Sequence, residues 1–230
     1  MTEIKPLLAE IISAAAMTVG ETNYFKNRGF TEEIINEYRL GYLPDGLGKF
    51  ATFIREDKKI LSCYKYVIPN IKSDGTSDYL LFRADVETVK RLFQFDLDSS
   101  YALGDFVGKI WNEKALLDNA GKIFITETWT DALSVIQCGV NAIALNRVTN
   151  IADLWKKISC QNMSAITFVT ACDADYYGLK TNKNLSAMLT VLNYRHICFD
   201  NFPDNVKDCN EWLQIAQESF CREVKKFSGF

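Results

Sequence analysis

The stretch "AITFVTACDADYYG" (residues 165–178) joins an apolar run directly to two aspartates, Asp173 and Asp175. The run has strand length and contains Ile, Val and Thr, which predicts a buried strand. On extended backbone the side chains of residues i and i+2 point to the same side, so the two carboxylates repel each other. A simple turn needs only one such residue. The stretch therefore predicts a buried strand that ends in a pair of carboxylates suited to a divalent cation.

The sequence around this stretch predicts strands that alternate with helices from residue 113 onwards. Such alternation is typical of βαβ units and of a parallel sheet covered by helices on both faces. We therefore predict an α/β domain over residues 113–230. The other predicted strands are "KIFITE" (122–127), "NAIALN" (141–146) and "RHICFD" (195–200), and the predicted helices are "TDALSVIQCG" (130–139), "NIADLWKKIS" (150–159), "LKTNKNLSAMLTVL" (179–192) and "DCNEWLQIAQESF" (208–220).

Residues 1–112 show a different pattern, which places a domain boundary near residue 112. Apolar residues at helical spacing predict a first helix over 4–17, and Thr31 is a candidate N-cap of a second. The runs "CYKYVIPNI" and "SDYLLFRAD" flank an Asp-Gly pair, which predicts a β-hairpin. Residues 86–112 show no clear period and are predicted to be loop-rich. This half is therefore predicted to be a smaller α+β subdomain.

Composition limits the classes of function. The chain has 230 residues, 48% of them hydrophobic, and a formal net charge of −3, which does not favour generic binding to nucleic acid. It has no apolar run of transmembrane length and no signal-peptide pattern, so we expect a cytoplasmic protein without a membrane partner. Seven scattered cysteines and one histidine, His196, predict no zinc site, and we expect the thiols to be reduced.

Acidic residues gather at the predicted carboxyl ends of the strands, where functional groups of parallel sheets meet. Glu127 ends one strand, Asp173 and Asp175 end another, and Asp208 follows the last. A set of oxygen ligands without clustered His or Cys suits Mg²⁺ or Mn²⁺. Any one such acid, Asp131 for example, is commonly only a helix cap. The combination of acids in one sheet is what predicts a metal site.

Two segments of this half resemble the Toprim domain of primases, topoisomerases and related nucleases. They are "FITETWTDALSVIQCGVNAIAL" (124–145) and "TACDADYYGLK" (170–180). Glu127 matches the glutamate that follows the first strand of that family, and Asp173 with Asp175 matches its D-x-D. Gly178 stands where primases have a glycine. The resemblance implies a Rossmann-like parallel sheet flanked by helices.

The segment "FPDNVKDCNEWL" (202–213) is similar to the primase segment that supplies further acids. Asp208 matches its first acid, whereas Asn210 stands where a second Asp is usual. Thr128 replaces the glycine that commonly follows the glutamate. These departures keep a role without catalysis open.

The resemblance extends upstream to the catalytic core of bacterial, DnaG-type primases. "YFKNRGFTEEIINEYRLGYLP" (24–44) and "YVIPNIKSDGTSDYLLFRAD" (66–85) are similar to the start of that core, so the resemblance covers roughly residues 22–215 in order. It implies a primase-core N-terminal subdomain over 1–112 and a Toprim domain with C-terminal helices over 113–230. It also implies synthesis of RNA primers from ribonucleoside triphosphates on a single-stranded DNA template.

The resemblance also implies roles for individual residues. Catalysis would depend on Glu127, Asp173 and Asp175, which with Asp208 would hold Mg²⁺ or Mn²⁺, and Asp131 and Gly178 would support them. Template and nucleotide would be contacted by Arg28, Arg83, Lys109 and Lys180. Three aromatic residues are candidates for stacking on bases, although large aromatics more often fill cores: Tyr24, Trp111 and Trp129.

The alternatives are a Toprim nuclease, which would use the same acids to cleave nucleic acid, and a non-catalytic nucleic-acid-binding accessory module of replication. The zinc-ribbon and helicase-binding domains of primases have no counterpart in the sequence. We therefore expect a stand-alone core of the kind found in phages or mobile elements. A replicative helicase or a separate zinc-ribbon protein would be its candidate partners.

Overall fold

The computed structural model describes residues 4–93, 97–117 and 121–228. The chain divides into two compact units. The first comprises residues 1–26 and 32–106, and the second comprises residues 27–31 and 107–230. The short segment 27–31 therefore packs with the second unit although its neighbours in sequence belong to the first.

The first unit contains an antiparallel sheet in the order β1-β2-β3-β4. Its strands are β1 (Gly41–Tyr42), β2 (Tyr64–Ile71), β3 (Ser77–Ala84) and β4 (Ser100–Gly104). The helices in this part of the chain are α1 (Ile4–Met17), α2 (Tyr24–Asn27), α3 (Glu32–Glu37), α4 (Ala51–Ile54), α5 (Lys58–Leu61) and α6 (Val86–Leu92). The apolar face of α1, with Leu8, Ile11 and Ala15, joins the same core cluster as the apolar residues of β2 and β3.

The prediction of a loop-rich segment over residues 86–112 is wrong for part of that range. Asp85 begins α6, because its Oδ1 accepts a hydrogen bond from the backbone N–H of Thr88 at 2.9 Å. Further on, β4 pairs with β3, and Ser100 lies opposite Arg83. The pairing depends on a partner strand distant in sequence, so the local pattern did not reveal it.

The second unit contains four parallel strands in the order β6-β5-β7-β8, as the alternating pattern predicted. The elements are β5 (Gly121–Thr126), α7 (Trp129–Gln137), β6 (Asn141–Ala144), α8 (Ile151–Ser159), β7 (Ile166–Thr170), α9 (Tyr176–Val191), β8 (Arg195–Cys198) and α10 (Cys209–Ser228). Helix α10 is interrupted at Ala216, whose φ of −152° and ψ of 68° are not helical. The α/β fold with a parallel sheet flanked by helices is thus confirmed.

A disulfide connects Cys138, just after α7, with Cys221 in α10, and their Cα atoms are 5.0 Å apart. The expectation that all the thiols are reduced is wrong for this pair. The two residues are 83 positions apart in sequence, so only the packing of α10 against α7 brings them together. Within the described ranges, no helix is long and apolar enough to cross a membrane.

Candidate active site in the second unit

Glu127 and Asp173 lie at the same edge of the parallel sheet. Glu127 follows β5 directly and Asp173 follows β7, and these strands are neighbours in which Ile125 pairs with Thr170. The backbone N–H of Ala171 continues the ladder by donating to the carbonyl oxygen of Ile125 at 2.9 Å. The backbone N–H of Asp173 lies close enough to the Glu127 carboxyl group to oppose the rise in its pKa. Strand pairing therefore brings together two of the acids that the sequence singled out.

The D-x-D loop is held by backbone contacts on both sides. The N–H of Ala174 donates to the carbonyl oxygen of Lys207 at 2.6 Å. Asp175 is the N-cap of α9, and its Oδ1 accepts from the N–H of Gly178 at 2.9 Å. A Cβ atom at Gly178 would overlap the backbone of Asp173, so only glycine lets the helix start so close to the loop. Asp175 therefore has a capping role in addition to any catalytic one.

Burial and neighbouring negative charges disfavour the ionisation of both Glu127 and Asp173. Burial is the largest cause that raises the pKa of Glu127, followed by the charges of Asp175 and Asp131. Burial, followed by the charges of Glu127 and Asp208, raises the pKa of Asp173 to about 7. Glu127 Oε1 is buried and has no hydrogen-bond partner among the residues that the structure describes. A cation at this edge would offset the repulsion.

Asp131 is almost fully buried in the first turn of α7, with 3% of its surface exposed. Its Oδ1 accepts from the backbone N–H of Asn210 at 3.0 Å, and its Oδ2 accepts from the hydroxyl of Thr128. Burial and then the charge of Asp208 raise its pKa to about 7. Thr128, which replaces a glycine of the family pattern, is the N-cap of α7. The buried carboxyl thus connects the start of α7 to the start of α10.

Asp208 precedes α10, and its Oδ1 accepts from the N–H of Glu211 at 2.7 Å. The Nζ atom of Lys207 lies 3.6 Å from Asp208 Oδ2. Because the charge of Asp208 raises the pKa of both Asp131 and Asp173, it acts on the same edge of the sheet. Sequence reasoning missed Lys207, and its position directly before Asp208 was the available signal.

Asn210 stands at the centre of a hydrogen-bond network. Its Nδ2 donates to the carbonyl oxygen of Arg28 at 3.1 Å and to Ser134 Oγ at 3.0 Å. Its Oδ1 accepts from Arg28 Nη1 at 3.2 Å and from Gln214 Nε2 at 2.9 Å. The side chain is 3% exposed. An amide can both donate and accept in this position, whereas an ionised carboxylate could only accept.

Arg28 also borders an open pocket of about 430 Å³. The segment that carries it is held from the other side by Gln137, whose Nε2 donates to the carbonyl oxygen of Gly29 at 2.8 Å and whose Oε1 accepts from the N–H of Thr31 at 2.9 Å. The remaining lining residues of the pocket are Thr130, Lys207, Asp208, Asn210, Glu211, Gln214 and Ile215. Arg28, which the sequence grouped with the N-terminal subdomain, therefore lies on the unit that carries the acids.

The other predicted basic residues are divided between the two units. Lys180 is exposed on α9, and Lys109 is half-buried in a loop of the second unit, where its carbonyl oxygen accepts from Asn150 Nδ2 at 3.1 Å. Arg83 lies on β3 of the first unit and is half-buried. The structure does not gather these residues into one cluster within a single unit.

The aromatic candidates for base stacking are largely core residues. Trp111 is 1% exposed and Trp129 is 6% exposed. The ring of Tyr24 is stacked on that of Tyr66 with centroids 3.7 Å apart. Sequence reasoning attached no role to the two aromatic residues that are exposed beside the acids, Tyr176 and Tyr177.

The donor chemistry of the site fits Mg²⁺ or Mn²⁺. All of the candidate ligands are carboxylates, and Glu127 presents a buried oxygen without a hydrogen-bond partner. In the part of the chain that the structure describes, however, no three Asp, Glu, His or Cys side chains form a group that could hold a metal ion together. The chemistry of the residues therefore agrees with the expected ion, whereas the described side chains are not arranged to hold it together.

The part of the chain that carries these acids matches a known family model. Residues 124–213 match a family model described as Toprim-like, a range that includes Glu127, both aspartates of the D-x-D and Asp208. No curated protein matches the sequence.

Solved structures of primases share the fold of the chain. The Aquifex aeolicus primase with its zinc-binding and RNA polymerase domains is 15% identical with a TM-score of 0.67, over 95% of this chain and 59% of that one. A DnaG primase catalytic domain bound to ssDNA is 15% identical with a TM-score of 0.64, over 96% of this chain and 78% of that one. The primase fragment of the bacteriophage T7 primase-helicase protein is 14% identical with a TM-score of 0.58, over 89% of this chain and 73% of that one. The chain thus matches a Toprim-like domain at residues 124–213 and has the fold of DnaG-type primase catalytic cores.

Proposed function

We propose that this chain is a DNA primase catalytic core, which synthesises RNA primers on a single-stranded DNA template with a divalent metal. The observation that carries the proposal is the placement of Glu127 and Asp173 at one edge of the parallel sheet, next to Asp175, where burial and neighbouring negative charges disfavour their ionisation. Such a site suits phosphoryl chemistry, in which charge neutralisation and positioning dominate.

The acids divide into two roles. Asp173 and Asp175, with Asp208, would hold Mg²⁺ or Mn²⁺. When bound, the ion would neutralise the charge of the incoming triphosphate. Glu127 would accept the proton of the attacking 3′-hydroxyl, because a raised pKa brings a carboxylate closer to the pKa of an effective base. Asp131 and Gly178 would support this arrangement through the contacts described above.

The basic residues would contact the template and the nucleotide. Arg28 is the best placed, since Asn210 holds its guanidinium at a pocket beside Asp208. We assign the same role to Arg83, Lys109 and Lys180. One similar structure is of a fragment of a phage primase-helicase protein. A replicative helicase is therefore a proposed partner, as is a separate zinc-ribbon protein.

A primer-synthesis assay tests the proposal. The protein is incubated with single-stranded DNA, the four ribonucleoside triphosphates and Mg²⁺ or Mn²⁺, and the products are resolved on a denaturing gel. We expect short RNA products from the wild type and none from Asp175→Asn. Asp204→Asn, which changes an exposed acid in the loop before α10, is the matched control and should remain active. Shortening of the DNA without RNA synthesis would show the nuclease instead.

The non-catalytic binding module is the second candidate. It is favoured by the finding that, over the described residues, no group of three candidate ligands could hold an ion together. Calorimetric titration with Mn²⁺ separates the two candidates, because a primase core must bind the ion and an inactive module need not. Binding that is lost in Asp175→Asn but kept in Asp204→Asn supports the catalytic proposal.

A further inference from the structure

Tyr176 and Tyr177 are the first two residues of α9 and follow Asp175 directly. Their side chains are 73% and 71% exposed, and the ring centroids are 5.5 Å apart with an angle of 79° between the planes. Removal of a large aromatic ring from water is favourable in free energy. Two adjacent rings that remain in solvent beside a candidate active site therefore suggest a ligand that covers them.

The backbone that carries these rings is fixed to the acidic loop. Asp175 Oδ1 accepts from the N–H of Gly178, and Gly178 packs against the backbone of Asp173. The carbonyl oxygen of Tyr177 accepts from Thr181 Oγ1 at 2.9 Å. The backbone of Tyr176 and Tyr177 is therefore anchored next to Asp173 and Asp175, so a base that stacks on either ring would lie close to the proposed metal ligands.

The same part of α9 carries positive charge. Lys180 follows Tyr176 by four residues and Tyr177 by three, so its side chain shares their side of the helix, and Lys183 lies one turn further on. Both lysines are exposed, and neither forms an ion pair with any residue that the structure describes. Exposed aromatic rings next to lysines are a combination that binds single-stranded nucleic acid, because its bases stack on the rings and its phosphates contact the cations.

We propose that Tyr176 and Tyr177 form a platform on which nucleobases stack, with Lys180 and Lys183 as phosphate contacts. The proposal rests on the proposed function for the source of the bases, which is either the single strand or the incoming nucleotide. Because the two rings are almost perpendicular, each presents its own face, and a strand with successive bases can use both. A mononucleotide has one base and can use only one.

Binding measurements on the full chain test the platform without requiring catalysis. The probes are a single-stranded DNA that contains 2-aminopurine and, separately, 2-aminopurine riboside triphosphate, both in Mg²⁺. The variants are Tyr176→Ala/Tyr177→Ala, the ring-retaining Tyr176→Phe/Tyr177→Phe, and Tyr176→Leu/Tyr177→Leu, which keeps apolar bulk without a ring. Phe53→Ala removes a side chain of similar exposure, 70%, from the first unit and is the matched control.

We expect each base–ring contact to contribute a factor of about 5 to 150 to the affinity, so the Tyr176→Ala/Tyr177→Ala variant should bind at least about 5-fold more weakly to the probe that uses the platform. Phe should restore the affinity and the change in 2-aminopurine fluorescence, and Leu should not. The salt dependence should keep its slope in the tyrosine variants, whereas Lys180→Ala should reduce that slope by about 0.7 for a single strand. Weaker binding of either probe by the Ala variant supports the platform, and the probe that is affected identifies the source of the base.

Unchanged affinity of the Ala variant for both probes would overturn the inference, as would full rescue by Leu or the absence of any binding by wild type. These outcomes are distinct from failure of the proposed function. Tyrosine-dependent binding without primer synthesis would retain the platform and refute the primase. Primer synthesis together with binding that does not depend on the tyrosines would support the primase function and refute the platform.

Discussion

Asn210 contacts Arg28 at two points: its Nδ2 donates to the carbonyl oxygen of Arg28 at 3.1 Å, and its Oδ1 accepts from Arg28 Nη1 at 3.2 Å. The same side chain also donates to Ser134 Oγ, and its backbone N–H donates to Asp131. Asn210, which stands where a second acid was expected, therefore positions the guanidinium group of Arg28 beside the candidate active site.

We predict that Asn210→Asp, which introduces the acid that the similar primase segment usually has at this position, destabilises this protein. The new oxygen cannot donate to the Arg28 carbonyl or to Ser134, and a buried charge would arise next to Asp131. Loss of a buried hydrogen-bond partner costs about 1–3 kcal/mol. Urea unfolding at pH 8 and at pH 5 should show the larger loss at pH 8, where the new carboxyl is ionised. Asn184→Asp, an exposed change on α9, is the control, and an equally stable Asn210→Asp would contradict the assigned role.

Stability should fall as the pH rises, because the pKa of Asp131 and that of Asp173 are raised to about 7 in the folded state. In the unfolded chain both groups titrate near their ordinary value of about 4. Between these values the folded state binds more protons than the unfolded state, so proton binding stabilises the folded state. This stabilisation is complete at low pH and is lost as the pH rises past about 7. Urea unfolding from pH 4 to pH 8 in EDTA should show this slope.

The slope should be smaller in Asp131→Asn, which keeps the shape of the side chain and removes one of the two titrating groups. Asp204→Asn should leave the slope as it is in wild type. A wild type whose free energy of unfolding rises across this range would contradict the raised pKa of both carboxyls.

Gly178→Ala should disrupt the D-x-D loop. The added methyl group would overlap the backbone of Asp173, so α9 and the loop must move apart. We expect a loss of about 1–3 kcal/mol in unfolding free energy, the usual effect of overpacking, together with loss of metal-dependent activity. Gly20→Ala is the matched control, since nothing lies within 4 Å of its added Cβ atom. Equal behaviour of the two variants would show that the close approach of α9 is unimportant.

Two substitutions at Asp175 should separate its capping role from its proposed metal role. Asn caps a helix as well as Asp does, so Asp175→Asn should keep the hydrogen bond to Gly178 and the stability of the apo protein. Asp175→Ala should lose about 1 kcal/mol. Wild type should gain melting temperature with added Mg²⁺ or Mn²⁺, because ligand binding stabilises the folded state, and both variants should gain less. A wild-type melting temperature that does not change with added Mg²⁺ or Mn²⁺ would refute the metal role of Asp175.

Periodicity and strand-end position were sufficient to predict the parallel sheet and the acids that follow its strands. Alternation of apolar runs with helical patterns is a local property, and parallel strands place their carboxyl ends at one edge whatever the details of packing. The hairpin of the first unit was equally local, since its Asp-Gly turn is encoded in neighbouring residues.

Only the tertiary structure decided features that depend on contacts between distant residues. Asn210 and Arg28 are 182 positions apart, and Cys138 and Cys221 are 83 apart, so no local pattern could pair them. Burial decided which aromatic residues are core and which face solvent: Trp129 and Tyr176 each begin a helix close after an acidic residue, yet Trp129 is buried and Tyr176 is exposed. The raised pKa of Asp131 has the same origin, since desolvation is a property of the folded environment and not of the residue.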